Sequence, residues 1–165
     1  MTRIFLITLL LASKFLFSQN PNKTFADTVF TVGDIITIPY IHYDSYCRGC
    51  PEDGISYRTK DSLKSIANFI LTHPKLVLQI TVHTDHRGDA KKNLIFSQQR
   101  AESIRDYLIK EYLIDKENLK AKGLGESNLL FNEETINQSK TPEEKEALHS
   151  KNRRTELRVI GYVVL

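Results

Sequence analysis

The sequence has no hydrophobic run long enough to cross a bilayer. The apolar stretch near its start, Ile4 to Ala12, is too short, and Lys14 interrupts its extension. Arg3 precedes it and the small residue Ser18 follows, which is the order of a secretory signal peptide with cleavage after Ser18. No cysteine follows the apolar run, so a lipoprotein signal is not expected. Charge of one sign is also scarce. Residues 1–18 hold Arg3 and Lys14 and no acid, so without them Lys and Arg fall from 23 to 21 against 20 Asp and Glu, leaving +1. A balance so near neutral gives no polyphosphate-binding surface and excludes nucleic acid as a partner.

Cysteine is scarcer still, with two residues, Cys47 and Cys50, in Cys47-Arg48-Gly49-Cys50. A structural zinc site needs two further ligands, and there is no second pair. An exported chain meets an oxidising compartment, where a small-loop disulfide between Cys47 and Cys50 is the leading reading, beside two idle thiols. A thioredoxin-like redox role ranks lower. Those motifs open a helix, whereas Pro51-Glu52-Asp53-Gly54 is turn chemistry. Internal repeats and long low-complexity segments are absent.

What remains is enough chain for one domain with a real core. The organisation expected is a signal peptide over 1–18, a polar flexible leader over 19–29 and a domain over 30–165. Phe30 to Val32 reads as a short strand, Gly33-Asp34 as a turn, and Ile35 to Tyr43 as a longer strand. Pro39 removes one ladder donor, which argues for a sheet edge or a bulge. A helix follows the cysteine loop: Thr59 caps it, Leu63, Ile66, Ala67 and Ile70 share one face, and His73-Pro74 ends it. Leu76, Leu78, Ile80 and Val82 alternate with more polar neighbours, the pattern of a half-buried strand. Asp85 falls on the parity of Thr81 and His83, away from that stripe.

Asp89 is the expected cap of a second helix, whose buried stripe would be Leu94, Ala101, Ile104, Leu108 and Tyr112. Arg100 lies at the rim of that stripe. Leu119 to Lys122 is a short strand closed by Gly123-Leu124-Gly125, and residues 126 to 140 read as a polar loop. Thr141-Pro142-Glu143-Glu144 is a capping box with proline at the first helical position. That helix runs to about Lys151, and Thr155 to Val164 is a last strand. The order predicts an α+β fold, a two-layer sandwich of a mixed β-sheet with helices on one face.

The run HTDHRGDAKKNLIFSQQRAESIRDYL, from His83 to Leu108, resembles the signature of the OmpA-like peptidoglycan-binding domain, the family of outer-membrane protein A, the peptidoglycan-associated lipoprotein and MotB. The matching positions are His83-Thr84-Asp85, Gly88, Asn93 and Ser97-x-x-Arg100-Ala101, and Asn152-Arg153-Arg154 matches the family's closing Asn-Arg-Arg. Val82 stands in place of the usual glycine and Phe96 in place of leucine. The resemblance implies a βαβαββ core and non-catalytic binding of peptidoglycan through the diaminopimelate of its stem peptides.

An acid and a guanidinium at a cleft edge suit a zwitterion, because arginine's planar fork grips a carboxylate by two parallel bonds. Carried over, Asp85 takes the ammonium, Arg100 takes the carboxylate and Asn93 positions the loop or ligand. Arg154, or else Arg153, adds a second cationic contact. The bland alternative is that Asp85 and Arg100 simply pair with each other. His83, Asp85 and His86 raise the question of a metal, but the sequence places no further ligand, base or oxyanion donor; no metal, cofactor or catalytic residue is assigned. The location implied is periplasmic, associated with the outer membrane, with peptidoglycan and envelope proteins as partners. Two alternatives stay open: a structural envelope module with the same fold that binds a protein, and a Cys-x-x-Cys thiol–disulfide protein.

Overall fold

The computed structural model describes residues 22–38, 41 and 59–163. Cys47 and Cys50, and the signal expected over 1–18, lie outside the described residues. The elements in order are β1 (Ile35–Ile38), α1 (Lys60–Thr72), β2 (Leu76–His83), α2 (Ala90–Tyr112), β3 (Leu119–Gly125), α3 (Glu133–Asn137), α4 (Pro142–Asn152) and β4 (Thr155–Tyr162). The strands form one mixed sheet in the order β1-β4-β2-β3. β4 runs antiparallel to both neighbours, while β2 and β3 are parallel. A parallel pair needs a crossover between its strands, and α2 supplies it. The fold is α+β, as the sequence predicts.

The core lies between the sheet and helices α1 and α2. Leu78, Ile80, Val82, Leu119, Leu157 and Val159 from the strands meet Leu63, Ile66, Ala67, Ile104 and Leu108 from the helices. Val82, the replacement for the family glycine, is 1 % exposed within this cluster, so its side chain packs inward. β1 sits at the sheet edge, in keeping with the proline that follows it.

Four expectations change. Phe30 to Val32 is not a strand; instead Phe30 drives its ring into the core, edge-on to Phe69 at 5.0 Å. Within residues 19–29, expected as flexible leader, Lys23 and Phe25 lie against the fold: the Lys23 amide donates to the Ile35 carbonyl at 2.8 Å and Phe25 packs on Phe69. The stretch 126–140 contains α3, capped by Asn132 and anchored by the buried Ile136. The fourth concerns α2. Its buried residues are Ser97, Ala101, Ile104 and Leu108, while Leu94 is half-exposed and Tyr112 only packs at the margin.

The cause of that last difference is on β3. A Cβ placed on Gly123 would stand 2.1 Å from the backbone nitrogen of Gln98, and one on Gly125 would stand 3.0 Å from that of Leu94. Helix and strand therefore touch backbone to backbone. Ser97 is buried there with its hydroxyl on the Gly125 amide, while Leu94 meets Gly125 through its backbone and leaves its side chain half-exposed.

Candidate functional site

The site forms where β2 ends. Its first half alternates between buried and half-exposed residues, but Thr81, Val82 and His83 are all buried, as are Thr84 and Asp85 beyond the strand. Both faces of the strand end are thus covered. A carboxylate at such a place needs charge-assisted partners to stay ionised.

Asp85 has two such partners. Its Oδ2 accepts from Arg87 Nη2 at 2.6 Å and Nε at 3.1 Å, and from Arg153 Nη1 at 2.6 Å. Its Oδ1 accepts from the Arg87 backbone amide at 3.1 Å. Burial pushes the Asp85 carboxyl up, but the hydrogen bonds from Arg87 and Arg153 outweigh it and bring it down to about 2. Both guanidinia reach on to Glu146 of α4: Arg87 Nη1 donates to Oε2 at 2.9 Å and Arg153 Nη2 to Oε1 at 2.6 Å. The hydrogen bond to Asp85 strengthens the hold of Arg87 on its own proton, and the bond from Arg153 lowers the Glu146 carboxyl.

Local sequence explains how these groups are held. Gly88 turns the chain with φ at 99°, a conformation that favours glycine. Asp89 caps α2 by accepting from the Lys92 amide at 2.8 Å. Asn93, on the first turn, ties the loop back: its Nδ2 faces the carbonyls of Asp85 and Arg87 at 3.3 and 3.2 Å and donates to Glu126 at 2.8 Å. Ser97 accepts from the buried Gly125 amide at 2.9 Å, and Gln98 from Gly123 at 2.7 Å. These two bonds fasten α2 to β3. Arg100 sits one turn further along, half-buried.

Asn152, Arg153 and Arg154 follow one another out of α4 and go three ways. Asn152 is fully buried. Its Oδ1 accepts from the Leu130 and Phe131 amides at 2.8 and 3.0 Å, and its Nδ2 donates to the Phe131 carbonyl at 2.7 Å. Arg153 turns to Asp85. Arg154 turns instead to Glu156 at 2.7 Å and to the Asn128 carbonyl at 3.2 Å. Burial raises the Glu156 carboxyl, but His83 and Arg154 prevail and hold it at about 2. Of the sequence-derived site residues, Asp85 and Asn93 share one corner, while Arg154 bonds elsewhere and Arg153 takes the place beside Asp85.

The three side chains weighed as a metal set have different partners. His83 Nε2 lies 3.3 Å from Glu156 Oε2, Asp85 is held by arginines, and the His86 ring lies against that of His149 at 5.1 Å. Burial and the nearby Arg87 lower the His149 imidazole below its ordinary value. Sequence reasoning missed Arg87 and Glu146. Arg87 falls in a variable gap of the motif, and Glu146 is one of several acids on α4; neither carries a signal of its own.

Comparison with known proteins places the fold. Porin F of Pseudomonas aeruginosa is 34 % identical over 65 residues, a segment covering 39 % of this chain and 19 % of that protein. The periplasmic domain of Helicobacter pylori MotB superposes with a TM-score of 0.56 at 18 % identity, over 81 % of this chain and 79 % of that one. The peptidoglycan-associated lipoprotein of Burkholderia pseudomallei gives 0.51 at 23 % identity, over 75 % and 87 %. At these identities the two structures speak for the fold alone. The family model described as OmpA family matches residues 52–148, more than half of the sequence, a span that includes Asp85, Arg87 and Glu146 and ends before Arg153, and the chain belongs to that family.

Proposed function

We propose that the protein is a non-catalytic peptidoglycan-binding module of the cell envelope, and that it grips the diaminopimelate of stem peptides at the Asp85 corner. The observation that carries this reading is an ionised carboxylate, 5 % exposed, seated beside guanidinia at the end of β2. The free end of diaminopimelate is an α-amino acid. Its ammonium matches Asp85 and its carboxylate matches an arginine fork, with Arg100 in that role by the family pattern. Membership of the OmpA family supports the partner, and one structural relative is itself a peptidoglycan-associated lipoprotein. The location that follows is periplasmic and close to the outer membrane. Among the described residues no helix is long and apolar enough to span a bilayer.

The test is retention on purified cell walls of the diaminopimelate type against the lysine type. Selective retention is expected. Asp85→Asn should weaken it by roughly one to two powers of ten, since a charge-assisted hydrogen bond contributes about 1.5–3 kcal/mol. That variant also strips two arginines of their partner, so affinity is scored per folded molecule. Arg100→Lys keeps the charge without the fork and should lose about tenfold. Equal retention on both wall types would refute the reading. A protein partner is the second reading, favoured by Leu94, Ile95 and Phe96, which stand consecutively about half-exposed on α2.

A further inference from the structure

The four charged side chains at the Asp85 corner form a closed ring of alternating sign. Asp85 bonds Arg87, Arg87 bonds Glu146, Glu146 bonds Arg153, and Arg153 bonds Asp85, at 2.6, 2.9, 2.6 and 2.6 Å. Asp85 alone in the ring is buried, with its side chain 8 % exposed, while Arg153 is 38 % exposed, Arg87 50 % and Glu146 53 %. The inner half is Asp85 and Arg153, in direct contact. The outer half is Arg87 and Glu146, the two side chains most open to solvent.

The halves differ in what it costs to remove them. Stripping a buried carboxylate of every partner is strongly unfavourable. Half-exposed ion pairs contribute little and exchange readily with solvent and ions. A molecule that brings its own cation and anion, fixed side by side, can take the place of the outer half and keep two oppositely charged partners on each of Asp85 and Arg153.

We propose that Arg87 and Glu146 are the protein's own stand-in for a zwitterionic ligand, whose ammonium replaces Arg87 on Asp85 while its carboxylate replaces Glu146 on Arg153. The inference rests on the peptidoglycan reading and adds two things to it. Arg153 becomes a ligand contact for the carboxylate, alongside Arg100. Arg87 and Glu146 set the affinity by competing for the site. The adjacency of the two receiving groups suits the α-amino acid end already named, with ammonium and carboxylate on one carbon. An ammonium alone, as on a lysine side chain, replaces Arg87 but leaves Arg153 with Asp85 in place of two anions. A lone carboxylate replaces Glu146 but leaves Asp85 with Arg153 in place of two cations.

The experiment is a calorimetric titration of the full chain with meso-diaminopimelate, run beside wall retention. The double variant Arg87→Ala/Glu146→Ala removes one charge of each sign, so net charge and long-range attraction are unchanged. If the internal pair fills the site about nine-tenths of the time, removing it raises apparent affinity by about tenfold. Adding Arg153→Gln should abolish that gain. As a control, Arg105→Ala/Asp106→Ala removes another ion pair, at 2.7 Å on α2, and should change nothing. A double variant that melts cooperatively yet binds no tighter than the parent, or binds more weakly, overturns the exchange. Should the alanine pair fail to fold, Arg87→Gln/Glu146→Gln keeps side-chain length and is judged by the same criteria. A parent chain retained on diaminopimelate-type walls with no gain in the variant sinks the exchange alone. No binding by parent or variant to either probe sinks the peptidoglycan reading, and the exchange with it.

Discussion

Replacing Gly123 by alanine should prise α2 away from β3. The new Cβ would stand 2.1 Å from Gln98 N, 2.5 Å from Gln98 Cα and 2.5 Å from Ser97 C. All three are backbone atoms of the helix, so no side chain can swing aside. Ordinary contact between such atoms requires the helix to retreat by about an ångström or more. The bonds from Gly123 N to Gln98 and from Gly125 N to Ser97, at 2.7 and 2.9 Å, would stretch with it. Overpacking alone costs about 1–3 kcal/mol, and orphaning a buried donor such as the Gly125 amide adds about 1–3 kcal/mol. A loss on the order of 4 kcal/mol is a large share of the 5–15 kcal/mol typical of a domain, and should lower Tm by roughly 10 °C or more. Thermal and urea unfolding followed by circular dichroism measure it. Ligand affinity should fall too, because Asn93 and Arg100 ride on the displaced helix. A Tm within about 3 °C of the parent would mean that helix and strand are not in backbone contact at Gly123.

Acid should weaken the fold in a defined window. Asp85 and Glu156 both have folded values of about 2, below their ordinary range, so their contribution is complete above the unfolded values near pH 4 and is lost as pH falls from about 4 to 2. Each is worth on the order of 2–3 kcal/mol, and a urea midpoint that stays flat between about pH 5 and 2 would contradict the ion pairs described. Asn152→Ala should cost about 2–3 kcal/mol and speed amide exchange at Leu130 and Phe131; unchanged exchange there would show that the loop is held by other means.

The regular elements were legible because each carries a periodic apolar signal with its own punctuation. β2 follows from Leu76, Leu78, Ile80 and Val82 at every second position, and α4 follows from Thr141, Pro142 and Glu144, whose capping box forms as read. α3 was not legible. Five residues are too few to show a period, and its one apolar anchor is Ile136. Only Asn132 ahead of Glu133 and Glu134 could have hinted at it. The α2 stripe was misread at Leu94 because helical periodicity knows nothing of the partner surface. The glycines at 123 and 125 belong to a different element, and only the packed fold shows that they draw the helix in until Ser97 fills the seam.

The candidate site was legible as a place but not as a circuit. The family resemblance names Asp85, Asn93 and Arg100 together, and all three lie on one strand–loop–helix unit. It puts Arg154 ahead of Arg153, whereas the residue beside Asp85 is Arg153; consecutive residues differ only in direction, and direction is set by what α4 and β4 do at their junction. Asn152 fixes that junction by binding the 130–131 backbone. With Asn152 buried, Arg154 enters β4 on the parity of Glu156 and bonds it. Arg153 is left facing the end of β2, where Asp85 is waiting 2.6 Å away. Two buried carboxylates are thereby each given an arginine by one short turn. A buried, ionised Asp85 is tolerable because that turn delivers Arg153 to it, so Asn152 supports the ion pairs of this corner without touching them.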